Sequence, residues 1–190
     1  MAEAALKLPS LADIDALPPG MKGEIIEGVL YTMTRPRAWH QSMDASMVEN
    51  MRPPFHWGRG GPGGWWILPE PGIELPTSAE FSPDVAGWRR ERLTVLPKDD
   101  AITTVPDWLC EILSPSTRHY DLATKKPFYA RIGVPHLWLV DLEARAINVL
   151  RLEQGRWVEL GTFDANEAEA RMEPFDAVAF DLRGWWEGLE

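Results

Sequence analysis

Two carboxylates stand where strands should be apolar. Asp84 lies in "SPDVAGW" (82–88) and Glu111 in "DWLCEILSPS" (107–116). Alternation along 107–113 puts Asp107, Leu109, Glu111 and Leu113 on one face, and Trp108, Cys110 and Ile112 on the other. Glu111 is therefore surrounded by large apolar neighbours. A carboxylate there must be paired, hydrogen-bonded or bound to a metal, because an isolated buried charge is very costly. Asp84 raises the same problem. Two acids at the ends of neighbouring strands can share one hard cation, and Mg²⁺ takes one or two carboxylates plus water and substrate phosphate. Phosphodiester hydrolysis also needs an activated water and charge stabilisation on the phosphate. Lys125 is a candidate for the second role. It lies one helical turn after Asp121, near the start of an expected helix, an end that favours anions. By spacing alone, an ordinary i,i+4 ion pair between Asp121 and Lys125 is the simpler reading.

The elements that must position these groups are readable from periodicity and breakers. "LADIDAL" predicts a short helix within residues 1–20, ended by "PPG". "KGEIIEGVLYTMT" (22–34) predicts a hairpin turning at Glu27-Gly28. Over 37–51, Trp39, Met43, Met47 and Met51 recur every four residues and predict an amphipathic helix with this stripe in the core. "HWGRGGPGG" (56–64) is loop, and "WWILPEPGIEL" reads as strand, kink and short strand. Strands follow at 83–88 and 107–113, separated by a loop at 97–105. "SPST" (114–117) is a turn and capping region before a helix over 119–131. Leu122, Phe128 and Tyr129 are its inward residues, Pro127 kinks or divides it, and Gly133 stops it. "HLWLVDL", "AINVLRL" and "RWVEL" are strands, with "EARA" joining the first two; "AVAFDL" is a last short strand, followed by a helical turn. Asp141, closing "LWLVD", is a strand-end turn residue. Strands flanking helices give an α/β or α+β domain with a mixed sheet.

Composition sets the outer limits. The chain of 190 residues is long enough for one domain with a hydrophobic core, and 45% hydrophobic residues argue against whole-chain disorder. The ten tryptophans are expected in the core or against strands. One cysteine, Cys110, excludes an internal disulfide. With no signal peptide evident, that points to a reducing cytoplasm. No apolar run long enough for a membrane span occurs. A net charge of −10 argues against coating nucleic acid by bulk electrostatics, though not against a nuclease with a local basic groove. Cations do cluster: Arg89, Arg90 and Arg92 follow the first acid, and Arg118, Lys125, Lys126 and Arg131 follow the second. Solvated loops and helix faces account for them equally well.

Four pieces in order complete the reading: "GEIIEGVL" at 23–30, "PD" at 83–84, "EILSPST" at 111–117 and "DLATKKPFYARIGVPHLWLVD" at 121–141. Together they resemble a branch of restriction-endonuclease-like proteins in the PD-(D/E)XK phosphodiesterase superfamily, over roughly residues 10–185. The resemblance implies an α/β fold, a single restriction-endonuclease-like domain over 1–190. Its mixed β-sheet is flanked by helices, with additional β-hairpins and a metal-dependent hydrolytic site at one edge. The proline-aspartate maps to Pro83-Asp84 and the second acid to Glu111. The lysine expected two residues later is replaced by Leu113, and Lys125 matches a position moved to the next helix. The early acid maps to Glu24, equally readable as a solvated strand residue. His40 falls where members of this branch often have a histidine; a structural hydrogen-bond role is the simpler alternative. His40 and Arg118 are the candidate substrate contacts.

The function implied is a Mg²⁺- or Mn²⁺-dependent endonuclease acting on DNA. Asp84 and Glu111 would hold the ion, with the backbone carbonyl of Ile112 added, and Lys125 would orient water or neutralise charge. Two alternatives stay open: a binding module that keeps the scaffold without cutting, and a hydrolase of a smaller phosphate ester. No helix-turn-helix or zinc-ligand spacing is present, so any recognition must come from loops. "HWGRGGPGGWW" is the best candidate, with Arg59 for phosphate and the tryptophan pair for stacking, against the simpler reading of a flexible loop. A homodimer is implied by the resemblance alone.

Overall fold

The computed structural model describes residues 8–35, 37–76, 78–98 and 101–189. Residues 1–7 of the N-terminal segment, Pro36, Thr77, residues 99–100 of the expected 97–105 loop, and Glu190 lie outside them. The chain opens with α1 (Leu11–Asp15), then the hairpin β1 (Met21–Ile26) and β2 (Val29–Thr34). Its turn is Glu27-Gly28, as expected, with φ of 51° and 76°. Both values suit the two-residue turn whose twist matches paired strands, and Gly28 adopts its positive φ without strain. Helix α2 (Ala38–Met51) continues into a π-helical turn, Arg52–His56. Next come β3 (Trp65–Pro69), β4 (Ile73–Leu75), β5 (Ser78–Phe81) and β6 (Val85–Arg89). Strand β7 (Trp108–Leu113) precedes a helical stretch of α3 (Arg118–Tyr120), a π turn (Asp121–Lys125) and α4 (Lys126–Arg131). Strands β8 (His136–Asp141), β9 (Ala146–Glu153) and β10 (Arg156–Asp164) follow, and a 3₁₀ helix (Leu182–Trp186) ends the chain.

Two sheets result. The larger has the order β10-β9-β8-β7-β6-β3, and β7 with β8 is its parallel pair. That pair needs a crossover, which the 118–131 helical stretch supplies. The smaller sheet, β2-β1-β5-β4, packs against the other. Strand β5 belongs to the small sheet and β6 to the large one, so the chain changes sheet at Ser82-Pro83-Asp84. The expected alternation along β7 divides two cores. Trp108, Cys110 and Ile112 face Met43, Met47 and Met51 of α2 and the C-terminal segment around Phe175 and Trp185. Leu109 and Leu113 face the small sheet and α4 through Phe81, Phe128 and Tyr129.

Four expectations need correction or refinement. Strand β5 was not foreseen: "SAEF" is short and polar, and it is a strand because β1 and β4 flank it. "AVAFDL" is not a strand; it makes one bridge, Ala170 with Phe180, and then Asp181 caps the 3₁₀ helix by accepting from the Arg183 amide. The buried rings of Trp185 and Trp186 explain the preference for a turn there. The apolar stripe of α2 holds for its three methionines, but Trp39 leaves the core and is 47% exposed. Finally, Pro127 neither breaks nor sharply divides its helix. The preceding turn widens to a π turn, in which the Lys126 amide donates to the Asp121 carbonyl, and Pro127 sits in the first turn of α4, where its missing N–H is not needed. Among the described residues no helix is long and apolar enough to cross a membrane.

Candidate active site

The change of sheet brings four segments to one cleft of about 580 Å³. Asp84 comes from the crossing segment, Glu111 from the middle of β7, Glu24 from β1 and Lys125 from the last residue of the π turn. Glu24 and Glu111 are each 1% exposed, so both need partners. The Lys125 ammonium supplies them. It lies 3.0 Å from Glu111 Oε1, 3.1 Å from Glu111 Oε2 and 3.3 Å from Glu24 Oε1, and donates to the Ser82 carbonyl at 3.4 Å. Lys125 is thus held by Glu111 and Glu24, not by the i,i+4 partner Asp121 that spacing favoured.

The π turn explains that choice. In a regular α-helix residues 120 and 125 would face directions about 140° apart. Five residues wound as a π turn make roughly one full turn, so Tyr120 and Lys125 share a face. Tyr129, four residues on, joins them. Tyr120 Oη donates to Glu24 Oε2 at 2.8 Å, and Tyr129 Oη donates to Glu111 Oε1. The Lys125 nitrogen lies 5.6 Å from the Tyr120 ring centre. The two phenols were missed in the sequence, where Tyr129 read as core. The i,i+4 relation of Lys125 and Tyr129 was the available signal.

Asp84 has its own shell. Its Oδ2 accepts the Ile112 amide at 2.7 Å and lies 3.1 Å from His40 Nε2. So Ile112 contributes its N–H to this carboxylate, and the two strand segments are tied together through it. His40, in the first turns of α2, lines the same cleft. Arg118 does not join it: its guanidinium pairs with Asp141 at 2.6 Å. Asp141 also accepts the Glu143 and Ala144 amides, the strand-end role expected of it. In the loop singled out for recognition, Arg59 lies over Trp57, Trp65 is buried in the core, and Trp66 donates to the Leu93 carbonyl beneath Arg90.

Electrostatics follow from burial and crowding of like charge. Burial opposes the Lys125 ammonium, but Glu111 and Glu24 more than offset it and hold its pKa well above the lysine range. Burial raises the Glu111 pKa, and Lys125 cancels only part of that. Asp121 is pushed up to about 6 by burial despite Lys125 and Thr117. Asp44, one turn beyond His40, is likewise raised to about 6 by burial and Asp84. Burial works against charge on both members of the His40–Asp84 pair; their mutual contact prevails, raising His40 and lowering Asp84. Glu24, Asp84, Glu111 and Asp121 outnumber Lys125 and His40, so acidic side chains predominate at the floor of the cleft.

Among the described residues no three His, Cys, Asp or Glu side chains converge on a point suited to a metal ion. Lys125, standing between Glu24 and Glu111, accounts for this. A hard divalent ion needs only one or two carboxylates, with water and phosphate oxygens completing its shell. The oxygen-only pair Asp84 and Glu111, in one solvent-reached cleft, fits that donor chemistry.

Tyr129→Phe tests how tightly Glu111 depends on its neighbours. The variant leaves a buried carboxylate oxygen one donor short, and we expect a loss of about 1–3 kcal/mol in urea unfolding. A loss below about 0.5 kcal/mol would mean that Lys125 alone satisfies Glu111.

A mixed sheet with a parallel central pair, a crossover helical stretch carrying the lysine, and carboxylates converging from β1, β7 and the sheet-changing segment make a restriction-endonuclease-like fold. The chain belongs to the Uma2 family, described as "Putative restriction endonuclease", whose model matches residues 7–183. It is similar to the crystal structure of a putative nuclease belonging to DUF820 from Anabaena variabilis. The TM-score is 0.72 at 18% identity, covering 96% of this chain and 99% of that one. No curated protein matches the chain.

Proposed function

We propose that the protein is a divalent-metal-dependent endonuclease that hydrolyses phosphodiester bonds in DNA. The observation that carries this reading is the meeting of Asp84, Glu111, Glu24 and Lys125, from four segments, at the floor of one cleft. Asp84 and Glu111 would hold Mg²⁺ or Mn²⁺, with the Ile112 carbonyl as a further oxygen donor. When bound, the ion supplies Lewis-acid stabilisation of phosphate charge and a more acidic water. The Ile112 amide and His40 fix the orientation of Asp84. Lys125 keeps its proton between two carboxylates and presents a fixed positive charge, able to neutralise charge developing on the phosphate. Tyr120 and Tyr129 hold the carboxylates flanking Lys125, so that charge is aimed before substrate arrives.

One observation favours a second reading, a binding module on the same scaffold. Lys125 already compensates Glu24 and Glu111 without a metal. Cleavage of supercoiled, linear and single-stranded DNA with Mg²⁺ or Mn²⁺ separates the two. The enzyme reading expects cutting that stops with EDTA and in both Asp84→Ala and Lys125→Ala. Folded protein that binds DNA and never cuts it would leave the binding module.

A further inference from the structure

The cleft has a rim opposite in charge to its floor. Lys22, Arg35 and Arg37 line it, together with Trp39. Lys22 is tied to Glu70 at 3.0 Å. Among the described residues the Arg35 and Arg37 side chains have no hydrogen-bond or ion-pair partner, in a chain of net charge −10 rich in available acids. Arginines elsewhere in the fold are engaged: Arg118 on Asp141, Arg131 on Glu27, Arg92 on Asp107.

Trp39 is the second anomaly. It begins the four-residue stripe whose other members, Met43, Met47 and Met51, are fully buried, yet nearly half of it is exposed. Among the exposed large apolar residues described, it is the one that lines the cleft. A tryptophan left at the mouth of a polar cleft keeps a ring that neither the core nor a hydrogen bond explains. Stacking on a nucleobase is sequence-tolerant, because every base has a π face, but in a duplex that face is covered by its neighbours. A free aromatic face in the same cleft as two free guanidiniums therefore matches a strand whose bases are unstacked.

The geometry points to unpaired DNA as the substrate class: a base of a single strand stacks on Trp39, and its flanking phosphates sit on Arg35 and Arg37. Ser114 and Ser116, which line the same cleft with their hydroxyls in mutual contact, are neutral groups along the phosphate path. This inference rests on the proposed nucleic-acid function, but its binding test does not need cleavage.

The test is fluorescence anisotropy in EDTA, with full-length protein, a labelled 15-nucleotide oligothymidylate and a blunt duplex of about the same length. Wild type is expected to bind the single strand more tightly. Trp39→Ala should weaken single-strand binding about tenfold or more and duplex binding less than about threefold, while Trp39→Phe stays within about threefold of wild type. Arg35→Ala and Arg37→Ala should each lower the salt slope for the single strand by about 0.7. Trp39 is half exposed, so these variants are expected to fold, and the Phe variant controls for loss of packing. Equal effects of Trp39→Ala on both DNAs, no effect on either, or no binding of either DNA by wild type would each overturn the inference. Selective single-strand binding without cleavage under any metal would remove the nuclease and leave the inference standing. Metal-dependent cutting that ignores Trp39 would do the reverse.

Discussion

Lys125→Met is expected to unfold about 3–5 kcal/mol more easily than wild type at pH 8 in EDTA, with a clearly smaller deficit at pH 5. The substitution keeps the stem and removes the charge, leaving Glu24 and Glu111 buried without their shared cation. The pH dependence follows from the sign of the shift. Burial already holds the Glu111 pKa above its unfolded value, and removing Lys125 removes the largest influence pulling it down. The folded variant then binds a proton more readily than the unfolded chain. Its stability is highest at low pH and falls as pH rises from the unfolded value through the folded one. Urea midpoints at the two pH values give the measurement. An equal deficit at both would show that the pair is not the source of the loss. If the nuclease reading holds, cleavage should fall about 10²–10³-fold, the usual cost of removing one preorganised stabiliser of developing charge.

Asp84 separates chemistry from stability more sharply. Asp84→Ala should abolish metal-dependent cutting and also cost about 1–3 kcal/mol, because the Ile112 amide is left buried without an acceptor. Asp84→Asn should abolish cutting at a much smaller cost. A single oxygen, Oδ2, takes both the Ile112 amide and the His40 contact, and an asparagine oxygen can do the same without the charge. What the Asn variant loses is the ion pair with His40. The depressed Asp84 contributes stability above the unfolded carboxylate pKa, near 4, that is lost as pH falls through its folded value. The raised His40 contributes stability below about 6.5 that is lost as pH rises through its folded value. The Asn deficit should therefore be largest at about pH 5–6 and shrink towards pH 8. An Asn variant that unfolds as readily as the Ala variant at pH 8 would sink this division of roles.

The sequence made the frame legible where one physical signal dominated. Alternation in "DWLCEIL" set both faces of β7, the Glu27-Gly28 pair set the hairpin, and the methionine spacing set the buried face of α2. The acids stood out because their surroundings could not accept them without partners. What stayed hidden was tertiary in origin. Strand β5 exists through its neighbours rather than its own residues. Tyr129 looks like any inward aromatic until the position of Glu111 gives its hydroxyl a use. Lys125 and Asp121 satisfy the ion-pair spacing perfectly well in a regular helix, and the π turn that separates their roles has no sequence signal beyond Pro127 six residues after Asp121.

That π turn also sets how this protein can vary over time. With acid and lysine two places apart on one strand, the backbone alone would fix their relation, and the following helix could gain or lose residues freely. Here the lysine hangs from Asp121–Lys125, so the register of that turn carries the site's geometry. Deleting Lys126 or Pro127, just past that turn, would rotate everything after it by about 100° relative to the lysine. Tyr129 would swing away from Glu111, and Phe128 out of its core. Position 113, released from supplying the lysine, is occupied by a leucine that fills the second core. Length changes in this lineage should therefore collect in exposed turns such as Gln154-Gly155 and be purged from 126–129.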